Sequence, residues 1–220
     1  MCQNHENPPR EYPKSIINLG EESITNVPTF KYLGSKVQHD EHTTGWTEIN
    51  FRIDSAKAQF AQQKNLFTNQ NISLKTRTKF LNSYVRSRLT YSCQNWALTK
   101  IQFNKLDSVY ATFLRKMVRN GYSRQPSTDT TINYKFKYTN LSLYNLCSTT
   151  SLSSFIQKSQ KKYLAHLIRQ NNSCFTKQLI FNSDKYYKRG NPGPTLYTQV
   201  LNNYESSTSD FLTKAHRRCF

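Results

Sequence analysis

The spacing of apolar residues changes once along the chain, near Glu48. Before it, short apolar or β-branched runs at 15–19, 23–27 and 30–37 are separated by Gly20-Glu21-Glu22 and by Pro28. Runs of this length bounded by turn residues predict strands. They predict a small three-stranded sheet, with Gly34 as a bulge or a point of close backbone approach. After Glu48 the period becomes helical. Ile49, Ile53, Ala56, Phe60 and Phe67 mark a first helix over 47–68, which Thr44 or Thr47 can cap. Leu74, Leu81, Tyr84, Val85 and Leu89 line a second helix, capped by Ser73. Phe103, Leu106, Val109, Tyr110, Phe113, Leu114, Met117 and Val118 line a third over 99–120, which closes at Asn120-Gly121.

Three helices with short links predict an antiparallel bundle. A Ser/Thr-rich stretch at 123–137 reads as a linker. A second helical region follows, with a short piece at 141–147, a longer one at 152–170, a basic Gly/Pro loop at 184–195 and a weak helix at 196–204. The expected fold class is α+β, mostly α. The expected organisation is a lead-in (1–14), a β-hairpin region (15–45), a helical bundle (46–122), a linker (123–137), a second helical region (138–205) and a tail (206–220).

Composition limits what such a chain can be. Leu, Ile, Val and Phe number 49 of 220 residues, enough for a modest core. The 31 Lys+Arg against 13 Asp+Glu give a net charge of +18, which favours polyanionic partners. Five well-separated cysteines form no CxxC pair, so neither a disulfide framework nor a zinc ribbon is indicated. Reduced thiols in an intracellular protein, nuclear or cytoplasmic and not secreted, are expected. No apolar run nears the ~20 residues that span a bilayer.

Basic residues on the second helix are patterned. At 100° per residue, Lys75, Lys79 and Arg86 fall within about 40° of one another, and Arg77 and Arg88 line the other flank. Such a stripe can follow a phosphate backbone without reading bases. Trp96 and Tyr91 can stack on bases, but anchoring a loop is the preferred reading. His166 reads as a core or capping histidine.

Three stretches, taken in order, carry a resemblance. The first is VPTFKYLGSK (27–36), with EINFRIDSAKAQF (48–60). The second is SLKTRTKFLNSYVRSRLTYSCQNWAL (73–98). The third joins YLAHLIR (163–169) to KRGNPGPTL (188–196). Together they resemble the palm-to-thumb junction, thumb and post-thumb region of LINE-type (non-LTR) retrotransposon reverse transcriptases. Gln94, Ala165, Asn191 and Leu196 depart from that pattern. The resemblance implies that Phe30, Lys31, Tyr32, Leu33 and Gly34 form a primer grip. It also implies nucleic-acid contacts at Arg52, Lys75, Arg77, Lys79, Arg86, Arg88, Lys188 and Arg189.

The family polymerase uses Mg2+ held by palm carboxylates, including an Asp-Asp pair. This chain has no adjacent Asp-Asp; Asp40-Glu41 reads as a solvated turn. No cofactor and no catalysis are therefore expected of the chain itself. The resemblance implies a clamp for RNA and RNA/DNA duplex, partnered by the missing palm and fingers. A truncated relic without biochemical function, or a host RNA/DNA-binding module derived from such an element, stands as the alternative.

Overall fold

A computed structural model describes residues 16–20, 22–25, 27–38, 45–119, 122–125, 133–181, 200 and 208–217. The expected lead-in, Asp40-Glu41, Lys188, Arg189 and the 184–195 loop lie outside them, as does the expected 196–204 helix except Val200. The fold is α+β and mostly helical. It divides into two compact units, Met1–Glu41 and His42–Phe220.

The first unit holds two antiparallel hairpins instead of one three-stranded sheet. β1 (Ile16–Leu19) pairs with β2 (Glu22–Thr25), with Ile17 opposite Ile24. β3 (Thr29–Tyr32) pairs with β4 (Ser35–Gln38), with Phe30 opposite Val37 and Tyr32 opposite Ser35. The expected third strand is folded on itself. Leu33 (φ 46°) and Gly34 (φ 87°) form the two-residue turn, the positive φ pair that matches the twist of a hairpin. Gly34 is therefore a turn residue and not a bulge.

The second unit is built on the helices. α1 (Trp46–Gln62) and α2 (Lys64–Thr68) replace the single helix expected over 47–68. α1 has Gly45 at its N-cap, which supplies no side-chain cap; Thr47 lies inside the helix, and Thr44 lies outside the described residues. α3 (Leu74–Leu81) begins at Ser73, whose hydroxyl accepts from Thr76 N as expected. It runs into a π-turn, Asn82–Arg86, and a last α-turn, α4 (Ser87–Leu89). α5 (Lys100–Val118) opens on a complete capping box, in which Thr99 and Gln102 each satisfy the other's backbone N–H.

Part of the expected linker pairs as a further hairpin, β5 (Tyr122–Gln125) with β6 (Asn133–Phe136). α6 (Asn140–Leu146), α7 (Leu152–Arg169) and α8 (Phe175–Phe181) follow. The tail, which carried no expected element, contains α9 (Thr208–His216).

The apolar faces read from the sequence meet in one core. Ile49, Ile53, Ala56, Phe60, Phe67, Leu81, Val85, Leu89, Leu106, Phe113, Leu114 and Met117 are buried together. The Phe60 ring stacks on both Phe67 and Phe113 at 5.0 Å, tying α1 and α2 to α5. Trp96 is buried as the loop anchor it was expected to be. Its carbonyl accepts from the buried Gln160 Nε2 at 2.7 Å, which pins α7 to that loop. A second cluster joins Leu164, Leu167 and Ile168 of α7 to Val200, Phe211 and Ala215.

Candidate nucleic-acid interface

The net charge is not spread evenly. Residues 1–41 carry four Lys and Arg against six acids, and residues 42–220 carry 27 against seven. Within 45–119 the acids are Glu48, Asp54 and Asp107, and each already has a structural partner. Glu48 accepts from Arg52 at 2.7 Å, Asp54 from Lys57 at 3.1 Å, and Asp107 from Ser153 N at 2.9 Å. Across α6 and α7 there is no acid at all. Exposed cations on these helices therefore project a field that acids do little to offset, which concentrates polyanions.

Not every cation is available for this. Arg77 was expected on an outer flank but is 5 % exposed. Its Nε donates to Ile72 O at 3.0 Å, and its Nη1 to Phe67 O at 3.2 Å and Met117 O at 2.7 Å. A single guanidinium thus closes the C-terminal ends of α2 and α5. Helix C-termini carry unpaired carbonyls and the negative end of the dipole. In a chain this poor in acids they offer buried cations neutral acceptors with partial negative charge. Lys177 repeats the device, its Nζ donating to Ile168 O and Gln170 O at the end of α7. So does Arg169, which donates to Ala215 O in α9 at 2.6 Å.

Arg52 is also structural. It is buried, bonded to Glu48, and its guanidinium lies 4.5 Å over the Tyr91 ring. Tyr91 keeps its other surface exposed.

The π-turn corrects the assignment of Arg86 and is what keeps Arg88 on an exposed flank. Ser87 N–H donates to Asn82 O, five residues back. A turn closed i→i+5 takes in one more residue than an α-turn, so everything after it lags by about 100°. In an unbroken α-helix Arg88 would lie within about 20° of Leu81, in the core, and Arg86 about 140° away, in solvent. The lag exchanges them. Leu89 takes the core position and is fully buried, Arg88 is exposed, and Arg86 is half-buried with its guanidinium 4.4 Å over the Phe155 ring. Tyr84, expected in the core, is turned outward and is 43 % exposed.

Behind the π-turn, the buried Tyr110 hydroxyl donates to Asn82 Oδ1 at 2.6 Å and shares a 3.0 Å bond with Thr149 Oγ1. Burial pushes the Tyr110 hydroxyl above its usual range, and nearby Thr149 and Arg86 partly offset this. Burial and the Asp107 carboxylate push Tyr144 to about 12.

The exposed set on this rod is therefore Lys75, Lys79 and Arg88. On the hairpin, Phe30, Lys31, Tyr32 and Leu33 are exposed, Leu33 at 76 %, and Gly34 is half-buried. Lys31 faces Lys36 across the strands, so this hairpin is locally basic within an acidic unit. His166 is exposed rather than core, and Gln170 Nε2 donates to its Nε2 at 2.9 Å. Burial raises the Cys93 thiol to about 11 and also raises Cys147, so both stay protonated near neutral pH. Among the described residues no group of three His, Cys, Asp or Glu could hold a metal ion. No described helix is long and apolar enough to cross a membrane.

No protein-family model, no curated protein and no solved structure matches this chain.

Proposed function

We propose that the helical unit holds a nucleic-acid phosphate backbone, as a clamp for RNA and RNA/DNA template–primer duplex without a catalytic step of its own. The observation that carries this is the pairing pattern of 45–119: its few acids are engaged, whereas Lys75, Lys79 and Arg88 stand exposed on one rigid rod. Contacts of this kind neutralise phosphates and release counterions, so they position a duplex without reading its sequence. The resemblance to the thumb of LINE-type reverse transcriptases gives the clamp a setting, beside a palm and fingers supplied by the rest of such a polymerase. In that setting the β3–β4 hairpin meets the primer end.

A salt titration tests the reading. Duplex affinity, measured by fluorescence anisotropy on a labelled RNA/DNA hybrid, falls linearly on a log–log plot with salt. The triple variant Lys75→Ala, Lys79→Ala, Arg88→Ala binds more weakly and flattens the slope by about 2.7, since each phosphate contact contributes about 0.9. Binding that ignores salt, or no binding at low salt, overturns the proposal.

A further inference from the structure

The π-turn does more than exchange two arginines. It also holds Tyr84 on the solvent side, against the ring of Phe80 one turn earlier in α3. The Phe80 and Tyr84 rings stack at 6.3 Å with an interplanar angle of 26°. Phe80 packs against the core from its half-buried position, whereas Tyr84 is 43 % exposed. Arg88 follows one turn after Tyr84, and Lys79 precedes the pair on the adjoining flank; both are exposed. An exposed aromatic ring on a helix ordinarily gains nothing from water. Here it is backed by a second ring that fixes its orientation, and it stands in a basic row without an acid from Lys75 to Arg88.

We infer that Tyr84 is a stacking platform for an unpaired base, with Lys79 and Arg88 receiving the phosphates on either side of it. Stacking on an aromatic ring flanked by cations is the general device by which proteins hold single-stranded nucleic acid, and it tolerates any base because each has a π-face. Phe80 pre-orders the ring, so less rotamer freedom is lost on binding. The inference rests on the phosphate-holding reading above and adds to it a strand-state preference: the rod grips duplex through its cations, and single strand through Tyr84 as well.

The test uses the full chain with a labelled 12-nucleotide single strand and a 12-base-pair duplex, in anisotropy titrations at fixed low salt. A second single strand carries 2-aminopurine, whose fluorescence falls when the base stacks. Tyr84→Ala lowers single-strand affinity about tenfold, within the range of one lost base stack. It leaves duplex affinity within about twofold and abolishes the 2-aminopurine quench. Tyr84→Trp retains affinity and quench, which separates loss of stacking from loss of fold.

Three results overturn the inference alone: wild-type quench absent although the strand binds, equal loss on both nucleic acids, or Tyr84→Trp as weak as Tyr84→Ala. A wild-type chain that binds neither nucleic acid overturns the underlying clamp reading and this inference with it.

Discussion

Replacing Arg77 by Ala separates a structural cation from a nucleic-acid ligand. The wild-type guanidinium is almost fully buried and makes three hydrogen bonds, all to carbonyls, at 2.7, 3.0 and 3.2 Å. Truncation leaves those carbonyls without their donor and opens a space the size of the side chain. Hydrogen bonds to a charged group contribute roughly 1.5–3 kcal/mol each, but the gains overlap and the desolvation cost of the cation is recovered. A net loss of about 3–4 kcal/mol follows, a large share of the 5–15 kcal/mol typical of a folded domain. At roughly 3 °C per kcal/mol for a chain of this length, the melting temperature falls by about 10 °C.

Arg77→Lys removes the planar fork but keeps the charge. It costs about half as much, because an ammonium cannot reach three carbonyls set in different directions. The assay is urea unfolding followed by far-UV circular dichroism, paired with the anisotropy titration. A loss below about 1 kcal/mol refutes the account. So does a stable Arg77→Ala variant with a flattened salt slope, which would return Arg77 to the phosphate contacts.

Further expectations follow from the same structure. Tyr110, Tyr144, Cys93 and Cys147 all ionise later in the folded chain than in the unfolded one. Raised folded-state values contribute stability that is fully present below the unfolded values, near pH 9 for thiols and 10 for phenols, and lost as pH rises through the folded values, about 11 for Cys93 and about 12 for Tyr144. Urea midpoints measured from pH 8 to 12 decline over that window, and a flat profile contradicts the burial of these groups. Leu33 occupies the left-handed region at φ 46°, at a cost of roughly 1–2 kcal/mol for a residue with a Cβ. Leu33→Asn recovers part of this, so NMR Hα shifts at 29–38 become more strand-like; unchanged shifts speak against strain at this turn.

How much of this was readable beforehand depends on the range of the interaction. The helical recurrence of Ile49, Ile53, Ala56 and Phe60 and the Ser73 cap are local in the chain, and residue order alone places both; the Thr99–Gln102 box is equally local but is seen only in the structure. Backbone hydrogen bonding within four residues and one-sided burial determine them. The hairpin at Leu33-Gly34 is also local, yet the sequence reading makes Gly34 a bulge or a point of close backbone approach, because a leucine at positive φ runs against its steric preference. The β5–β6 pairing and α9 were missed. The first is flanked by Ser/Thr-rich sequence that signals loops, and α9 has few apolar residues of its own, two of which complete a cluster with α7.

The sequence by itself determined the class of fold, the strong cationic excess and the presence of a basic rod after Ser73. Only the tertiary structure decided which cations that rod shows to solvent. A 3.6-residue period, carried past Asn82 without interruption, puts Arg86 outside and sets Arg88, read from the sequence as a flank cation, within about 20° of the core residue Leu81. The π-turn, bonded through Asn82 to Tyr110 and beyond it to Thr149, rotates the last turns by about 100° and exchanges them. Arg77 and Arg52 were withdrawn for a related reason. Arg77 reaches Met117 O of α5, forty residues away, and Arg52, paired with Glu48 one turn back, is covered by the Tyr91 ring that only the closed bundle brings over it. Charge is a property of the sequence, but its availability to a ligand is settled by which carbonyls and rings the fold brings within reach.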